Sequence, residues 1–174
     1  MPMIGQPAPQ FISQAVVDGG DFKEIRLSNY RGKYVVLFFY PLDFTFVCPT
    51  EITQFRDNLK MFKEAGAEVL GCSVDSVHSH KRWIKDDLGN LGYPLIGDVT
   101  KQISRDYGVL LQDKGIATRG TFIIDPEGVI QYMAIHNLDV GRDSGEILRV
   151  LQGLKSGELC GAGWKPGAKH VTVK

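Results

Sequence analysis

Tyr34-Val35-Val36-Leu37-Phe38-Phe39-Tyr40, followed by Pro41-Leu42-Asp43-Phe44-Thr45-Phe46-Val47 and then Cys48-Pro49-Thr50-Glu51, sets the frame for the rest of the chain. The first seven residues are rich in β-branched and aromatic side chains and read as a buried strand. Residues 50–65 carry Ile52, Phe55, Leu59 and Phe62 at helical spacing. Cys48 therefore stands at a strand-to-helix turn. Unpaired backbone N–H groups and the positive end of a helix dipole favour negative charge there, which suits a thiolate. Two readings of Cys48 stand side by side: a nucleophilic or redox thiol, and a buried structural cysteine of the ordinary kind. A Cys-x-x-Cys dithiol is excluded by spacing, because Glu51 holds the position of the second cysteine.

Outward from this stretch, strand and helix patterns alternate. Residues 11–17 read as a strand before the turn Asp18-Gly19-Gly20-Asp21, and residues 27–33 as a polar approach to the central strand. Residues 67–74 predict a second core strand, leading through Asp75-Ser76 into a helix over 77–87 with Ser76 as its N-cap. A third short strand covers 93–96, and a helix follows over 101–107. Residues 121–124, the turn Asp125-Pro126-Glu127-Gly128 and residues 129–135 form a β-hairpin, and a last helix runs over 144–154. This order predicts an α/β fold with a mixed central sheet and helices on both faces, where a reactive residue is expected at the C-terminal end of a central strand. Residues 1–155 form one domain. Residues 156–174, rich in glycine and without periodicity, read as a C-terminal tail that lies over the surface or reaches a neighbour.

Composition narrows the classes of function. The chain has 174 residues, 43% of them hydrophobic and 23% charged, which fits one globular domain with a sizeable core. Twenty basic and 20 acidic side chains cancel, and no basic block with interleaved aromatics offers a nucleic-acid surface. No apolar run is long enough for a membrane span, and Met1-Pro2-Met3-Ile4-Gly5 lacks the pattern of a secretory leader, so a cytoplasmic location is expected. Cys48, Cys72 and Cys160 are too few for a disulfide framework. Cys72 lies inside an apolar strand and reads as buried and inert. His78 and His80 face different directions on a helix and have no adjoining cluster of ligands, so surface or capping roles are expected and no metal. No G-x-G-x-x-G or P-loop is present, and no cofactor is expected.

Several separated motifs share one pattern. Pro41-x-x-Phe44-Thr45-x-x-Cys48-Pro49-Thr50-Glu51 closely resembles the peroxidatic-cysteine loop of the typical two-cysteine peroxiredoxins, the group that includes the bacterial alkyl hydroperoxide reductase peroxidase subunits. Leu70-Gly71-Cys72-Ser73-Val74-Asp75-Ser76-x-His78-Ser79-His80 is similar to the family's second core strand and the helix after it. Arg119-Gly120-Thr121-Phe122-Ile123-Ile124-Asp125 resembles its active-site arginine segment. Val140-Gly141-Arg142-Asp143 and Gly157-Glu158-Leu159-Cys160-x-x-Gly163-Trp164-Lys165-Pro166-Gly167 resemble its late helix start and its resolving-cysteine motif. The resemblance spans about residues 4 to 167. It implies a thioredoxin-like fold and a cofactor-free, thiol-dependent peroxidase acting on hydrogen peroxide and organic hydroperoxides. By the same resemblance Cys48 is the peroxidatic thiol, and Thr45 Oγ and the Cys48 N–H position the peroxide. Arg119 supports thiolate and transition state, Pro41 shields the pocket from water, and Glu51 organises the arginines, Arg142 among them. Taken alone, Arg119 reads as a solvated side chain, Thr45 as a turn-closing residue and Glu51 as a first-turn acid favoured by the helix dipole.

A sulfenic acid formed on Cys48 needs a second thiol, or it climbs to sulfinic and sulfonic acid. The resemblance makes Cys160 the resolving thiol and places it on the partner subunit, which implies an obligate homodimer with Cys48–Cys160 disulfides. The strand over 129–135 is suited to pair with its twin at the sheet edge. Family members also build rings of five dimers, and their electron donors are thioredoxin or a flavoprotein disulfide reductase. Three departures accompany the match. Residues 152–160 form a shorter connection than in longer members, Gly161 stands where proline is common, and the sequence stops seven residues after Gly167 without a Tyr-Phe helix. The glycine-rich partner motif is represented only by Asp87-Leu88-Gly89-Asn90-Leu91-Gly92. These features predict easy local unfolding around Cys48 and resistance to overoxidation. Two alternatives remain open: a one-cysteine peroxidase resolved by an external thiol, and a ring assembly acting as a holdase.

Overall fold

Side chains along residues 35–40 alternate between two apolar layers, with Val36, Phe38 and Tyr40 in one and Val35, Leu37 and Phe39 in the other, all buried. A strand that is apolar on both faces must lie inside a sheet covered on both sides. In the computed structural model, which describes residues 2–173, that is its position. Met1 and Lys174, at the ends of the leading segment and the tail discussed above, lie outside the described residues. In chain order the elements are β1 (Ile12–Val16), β2 (Phe22–Arg26), β3 (Tyr34–Phe39), α1 (Cys48–Asp57), α2 (Leu59–Glu64), β4 (Ala67–Ser73) and α3 (Val77–Trp83). They continue with β5 (Leu95–Gly97), α4 (Gln102–Asp106), β6 (Leu110–Leu111), β7 (Ile116–Ala117), β8 (Arg119–Ile124), β9 (Ile130–His136) and α5 (Ser144–Ser156).

The main sheet has seven strands in the order β2-β1-β5-β4-β3-β8-β9. β5, β4 and β3 run parallel, while β8 pairs antiparallel with both β3 and β9. On one face α1, α2, α3 and α5 bury Ile52, Phe55, Leu59, Phe62, Trp83, Ile147 and Leu151 against Val36, Phe38 and Val69. Phe38 and Phe55 stack with ring centroids 4.3 Å apart. Each such side chain withdrawn from water contributes about 1.5–3 kcal/mol. On the other face Ile103 and Tyr107, at α4, pack with Phe11 and Leu27 against Leu37, Phe39 and Cys72. No helix among the described residues is long and apolar enough to cross a membrane.

The expected mixed α/β architecture is present, with local differences. Residues 22–26 form an edge strand that the sequence reading did not assign. Only Ile25 of that strand is buried, so alternation gives no signal there. The helix expected over 50–65 begins at Cys48 and breaks at Asn58, whose φ of −92° and ψ of 1° leave the helical range. The helix over 77–87 is α3 continued by one π turn over Ile84–Leu88, and Ser76 caps it by accepting from Ser79 N at 3.3 Å. The strand expected over 93–96 is Leu95–Gly97, the hairpin strands extend to Arg119 and His136, and a small β6–β7 hairpin precedes them. Residues 157–173 hold no helix or strand, yet Trp164 is buried, and its carbonyl accepts from Arg149 Nη1 at 2.9 Å.

Candidate active site

β3 ends beside the start of α1, and the loop between them sets where Cys48 lies. Phe44 in this loop has a φ of 55°, a left-handed conformation that a bulky side chain adopts only under restraint. Asp43 supplies much of that restraint. Its carboxylate accepts from Tyr40 Oη at 2.8 Å and from Ser79 Oγ at 2.7 Å, and it lies 2.8 Å from His80 Nδ1. The backbone N–H of Asp43 donates to Asp75 Oδ2 at 2.9 Å. His80 Nε2 donates to the Ile96 carbonyl at 3.1 Å, so the imidazole joins the loop to β5. Burial, reinforced by the neighbouring Asp43 carboxylate, pushes the Tyr40 hydroxyl well above its ordinary pKa and keeps it a donor. This corrects the surface or capping role expected of His80, which is fully buried, whereas His78 is exposed against Phe22. The two histidines do face opposite ways, and the inward one has its partner on a distant loop.

Cys48 is 0% exposed and opens α1, where the first backbone N–H groups lack intrahelical partners. Arg119 Nη1 lies 3.4 Å from its Sγ and 2.5 Å from Glu51 Oε2. The other Glu51 oxygen accepts from Arg142 Nε at 2.7 Å and from the Arg142 backbone N–H at 2.9 Å. Arg142 Nη2 reaches Glu51 Oε2 at 3.0 Å, which makes the pair bidentate. Each arginine is also anchored to backbone: Arg119 Nε donates to the Leu138 carbonyl at 2.7 Å, and Arg142 Nη1 donates to Phe39 O at 2.7 Å and Gly120 O at 2.8 Å. Arg119, Arg142 and Glu51 are 3%, 6% and 2% exposed. Two guanidiniums thus face one carboxylate in a site closed to water, and the surplus positive charge lies beside a sulfur.

The structure brings Cys48, Glu51, Arg119 and Arg142 together. Pro41 is buried and Thr45 half-buried in the same loop, where the Thr45 hydroxyl donates to the Leu42 carbonyl at 2.9 Å. Cys160 lies apart. Its Sγ is 3.9 Å from the Gly153 carbonyl and 3.6 Å from Ser156 Oγ, near the C-terminal end of α5, whereas Arg142 precedes the other end. Nine residue steps along α5 lead from Ser144 to Gly153, about 14 Å at the α-helical rise. All three cysteines are free thiols. Cys72 is fully buried, and burial followed by the Asp98 carboxylate holds its thiol well above the ordinary pKa. The Asp43 network went unread in the sequence, because its members come from a loop, a strand end and a helix with no shared spacing. No cluster of three or more His, Cys, Asp or Glu side chains suited to a metal occurs among the described residues.

Comparison with known proteins identifies the family. The AhpC/TSA family pattern matches residues 4–133. Peroxiredoxin-2 of Rattus norvegicus is 56% identical, over 97% of this chain and 89% of the relative. The chloroplastic 2-Cys peroxiredoxin BAS1 of Hordeum vulgare is 55% identical, over 98% of this chain and 86% of the relative. Among solved structures, the reduced 2-Cys peroxiredoxin of Plasmodium vivax superposes with a TM-score of 0.93 at 40% identity, covering 96% of this chain and 91% of that one. AhpC of Mycobacterium tuberculosis gives a TM-score of 0.86 at 38% identity, covering 95% and 99%. With its thioredoxin-like sheet and its buried Cys48 beside an arginine pair, the chain belongs to the AhpC/TSA family and is a typical two-cysteine peroxiredoxin, a thiol-dependent peroxidase.

Proposed function

We propose that Cys48 is the peroxidatic thiol and that Cys160 of the partner subunit resolves it. The observation that carries the first assignment is the charge of the buried cluster. Arg119 and Arg142 outnumber Glu51, and a Cys48 thiolate restores the balance. This thiolate attacks one oxygen of ROOH. The S–O bond forms, the O–O bond breaks, and the departing alkoxide takes a proton, leaving Cys48 sulfenic acid and ROH. Arg119 Nη1 and the Cys48 N–H donate to the oxygens as charge moves onto the leaving one. The Thr45 hydroxyl spends its proton on Leu42 O and so accepts the peroxide O–H. Pro41 closes the pocket against water.

The attack of Cys160 on the sulfenic acid forms a disulfide and releases water. Cys160 packs by Gly153 towards the end of α5 while Cys48 lies by the Arg119–Glu51–Arg142 cluster before its start, a placement that favours a partner's thiol over the chain's own, since a disulfide needs Cα atoms within about 7 Å. A homodimer built on the exposed edge of β9, and a ring of five such dimers, fit this scheme. Thioredoxin or a flavoprotein disulfide reductase returns the disulfide to two thiols. Non-reducing electrophoresis with peptide mapping, after equimolar hydrogen peroxide, tests the assignment. A covalent dimer linked Cys48 to Cys160 is expected in the wild type and absent from Cys160→Ser. A monomer carrying oxidised Cys48 in both would move resolution to an external thiol.

A further inference from the structure

Cys48 is 0% exposed and Cys160 lies by the far end of α5, so the first turn of α1 must open before the two sulfurs meet. What limits how far the opening spreads lies one turn further on. Glu51 and Gln54 in α1 and Asn58, the residue that ends it, recur at helical spacing on one side. Glu51 faces Arg142, while Gln54 and Asn58 face Ser144, the first residue of α5. The Ser144 N–H donates to Gln54 Oε1 at 2.8 Å, and Ser144 Oγ donates to the Gln54 carbonyl at 3.3 Å. Asn58 Nδ2 donates to Ser144 Oγ at 2.7 Å, so three bonds converge on Ser144. Ser144 is fully buried. Gln54 thereby satisfies an N–H in the opening turn of α5 that has no partner within its own helix. α1 also breaks at Asn58, the residue whose side chain reaches Ser144.

We propose that Gln54, Asn58 and Ser144 form a positioning latch that fixes the C-terminal half of α1 on α5. The latch confines unwinding to the turn that carries Cys48 and so sets how fast its sulfenic acid reaches Cys160. The inference rests on the two-cysteine cycle proposed above. While the helix is closed, the sulfenate stays in the peroxide pocket. There a second peroxide transfers an oxygen, breaking its O–O bond and leaving Cys48 sulfinate and ROH. Once the turn opens, Cys160 captures the sulfenic acid as a disulfide with release of water. A firm latch favours the sulfinate, and a loosened one the disulfide.

Rapid-quench kinetics on the full-length protein, with mass spectrometry of Cys48, separates the steps. Ser144→Ala, Gln54→Ala and Asn58→Ala each remove at least one of these bonds, and Gln54→Glu keeps the acceptor. The first peroxide step should be unchanged in all four. Disulfide formation should rise roughly three- to tenfold in the alanine variants, the scale of one lost hydrogen bond. The peroxide concentration that half-converts Cys48 to sulfinate should rise by the same factor, and Gln54→Glu should stay near the wild type. Unchanged partition in the alanine variants would overturn the latch, as would an equal change in the first peroxide step, which means general loosening. Failure of the wild type to form any Cys48–Cys160 disulfide would instead overturn the cycle beneath it.

Discussion

One nitrogen of Arg119 lies 3.4 Å from Cys48 Sγ and 2.5 Å from Glu51 Oε2, so the guanidinium that meets this thiol is itself held by the carboxylate three residues along α1. Its Nε is fixed on the Leu138 carbonyl, which leaves little freedom in the side chain. In the proposed mechanism, a donor held in this way needs no reorganisation when charge develops on the peroxide.

Arg119→Met should therefore lower the second-order rate of Cys48 oxidation by roughly 10²–10³, the usual effect of losing one such donor. Arg119→Lys should recover little, because a lysine cannot serve Leu138, Glu51 and Cys48 from a planar fork. Stopped-flow fluorescence with hydrogen peroxide measures both. A fall of less than about threefold in Arg119→Met would remove this residue from the reaction.

Glu51→Gln should damage stability as well as rate. Two buried guanidiniums would lose the carboxylate they share, and breaking a buried pair from one side costs about 3–5 kcal/mol. Urea denaturation of the reduced protein reads this directly, and a loss below about 1 kcal/mol would show that the cluster is compensated in another way.

Gly153→Ala should go in the opposite direction. Gly153 lies inside α5, and a Cβ there would meet Cys160 Sγ at 3.5 Å and the Trp164 ring at 3.8 Å, both ordinary contacts. Removing the glycine from a helix interior should add about 0.5–1 kcal/mol. A lowered denaturation midpoint would indicate that the tail packs against α5 more tightly than these distances allow.

Stability should decline in alkali. Burial holds the Cys72 thiol and the hydroxyls of Tyr40 and Tyr93 well above their ordinary pKa values in the folded protein. The unfolded chain releases these protons near about 8.5 for a thiol and 10 for a phenol. Above those values it binds fewer protons than the folded state, so unfolding becomes easier as pH rises. The urea midpoint should be flat around neutrality and fall from about pH 9 upward. Cys72→Ala should remove the earliest part of that fall, whereas a midpoint steady to about pH 11 would contradict the assignment.

Much of the fold could be read from periodicity. Residues 34–40 are apolar on both faces and had to be central, and Ile52, Phe55, Leu59 and Phe62 predicted the helix that covers them. Phe22–Arg26 escaped because an edge strand that buries only Ile25 carries no alternation. The break at Asn58 escaped because residues 50–65 keep their apolar spacing across it, and the Ser144 that its side chain meets is far away in sequence.

At the site, the sequence by itself determined the chemistry on offer: a cysteine where a strand gives way to a helix, with an acid in the first helical turn, in a motif matched to a known family. Only the tertiary structure decided the electrostatics. Arg119 and Arg142 come from β8 and the approach to α5; the family resemblance gave Glu51 the task of organising them, but residue type and spacing alone do not say that both close on Glu51 beside Cys48. The same holds for His80, expected at the surface and found sealed against Asp43. Side-chain spacing along one chain segment records which face an element buries. Which charges meet there depends on segments brought together by the sheet, and the energy of such a meeting depends on burial that only the assembled fold creates.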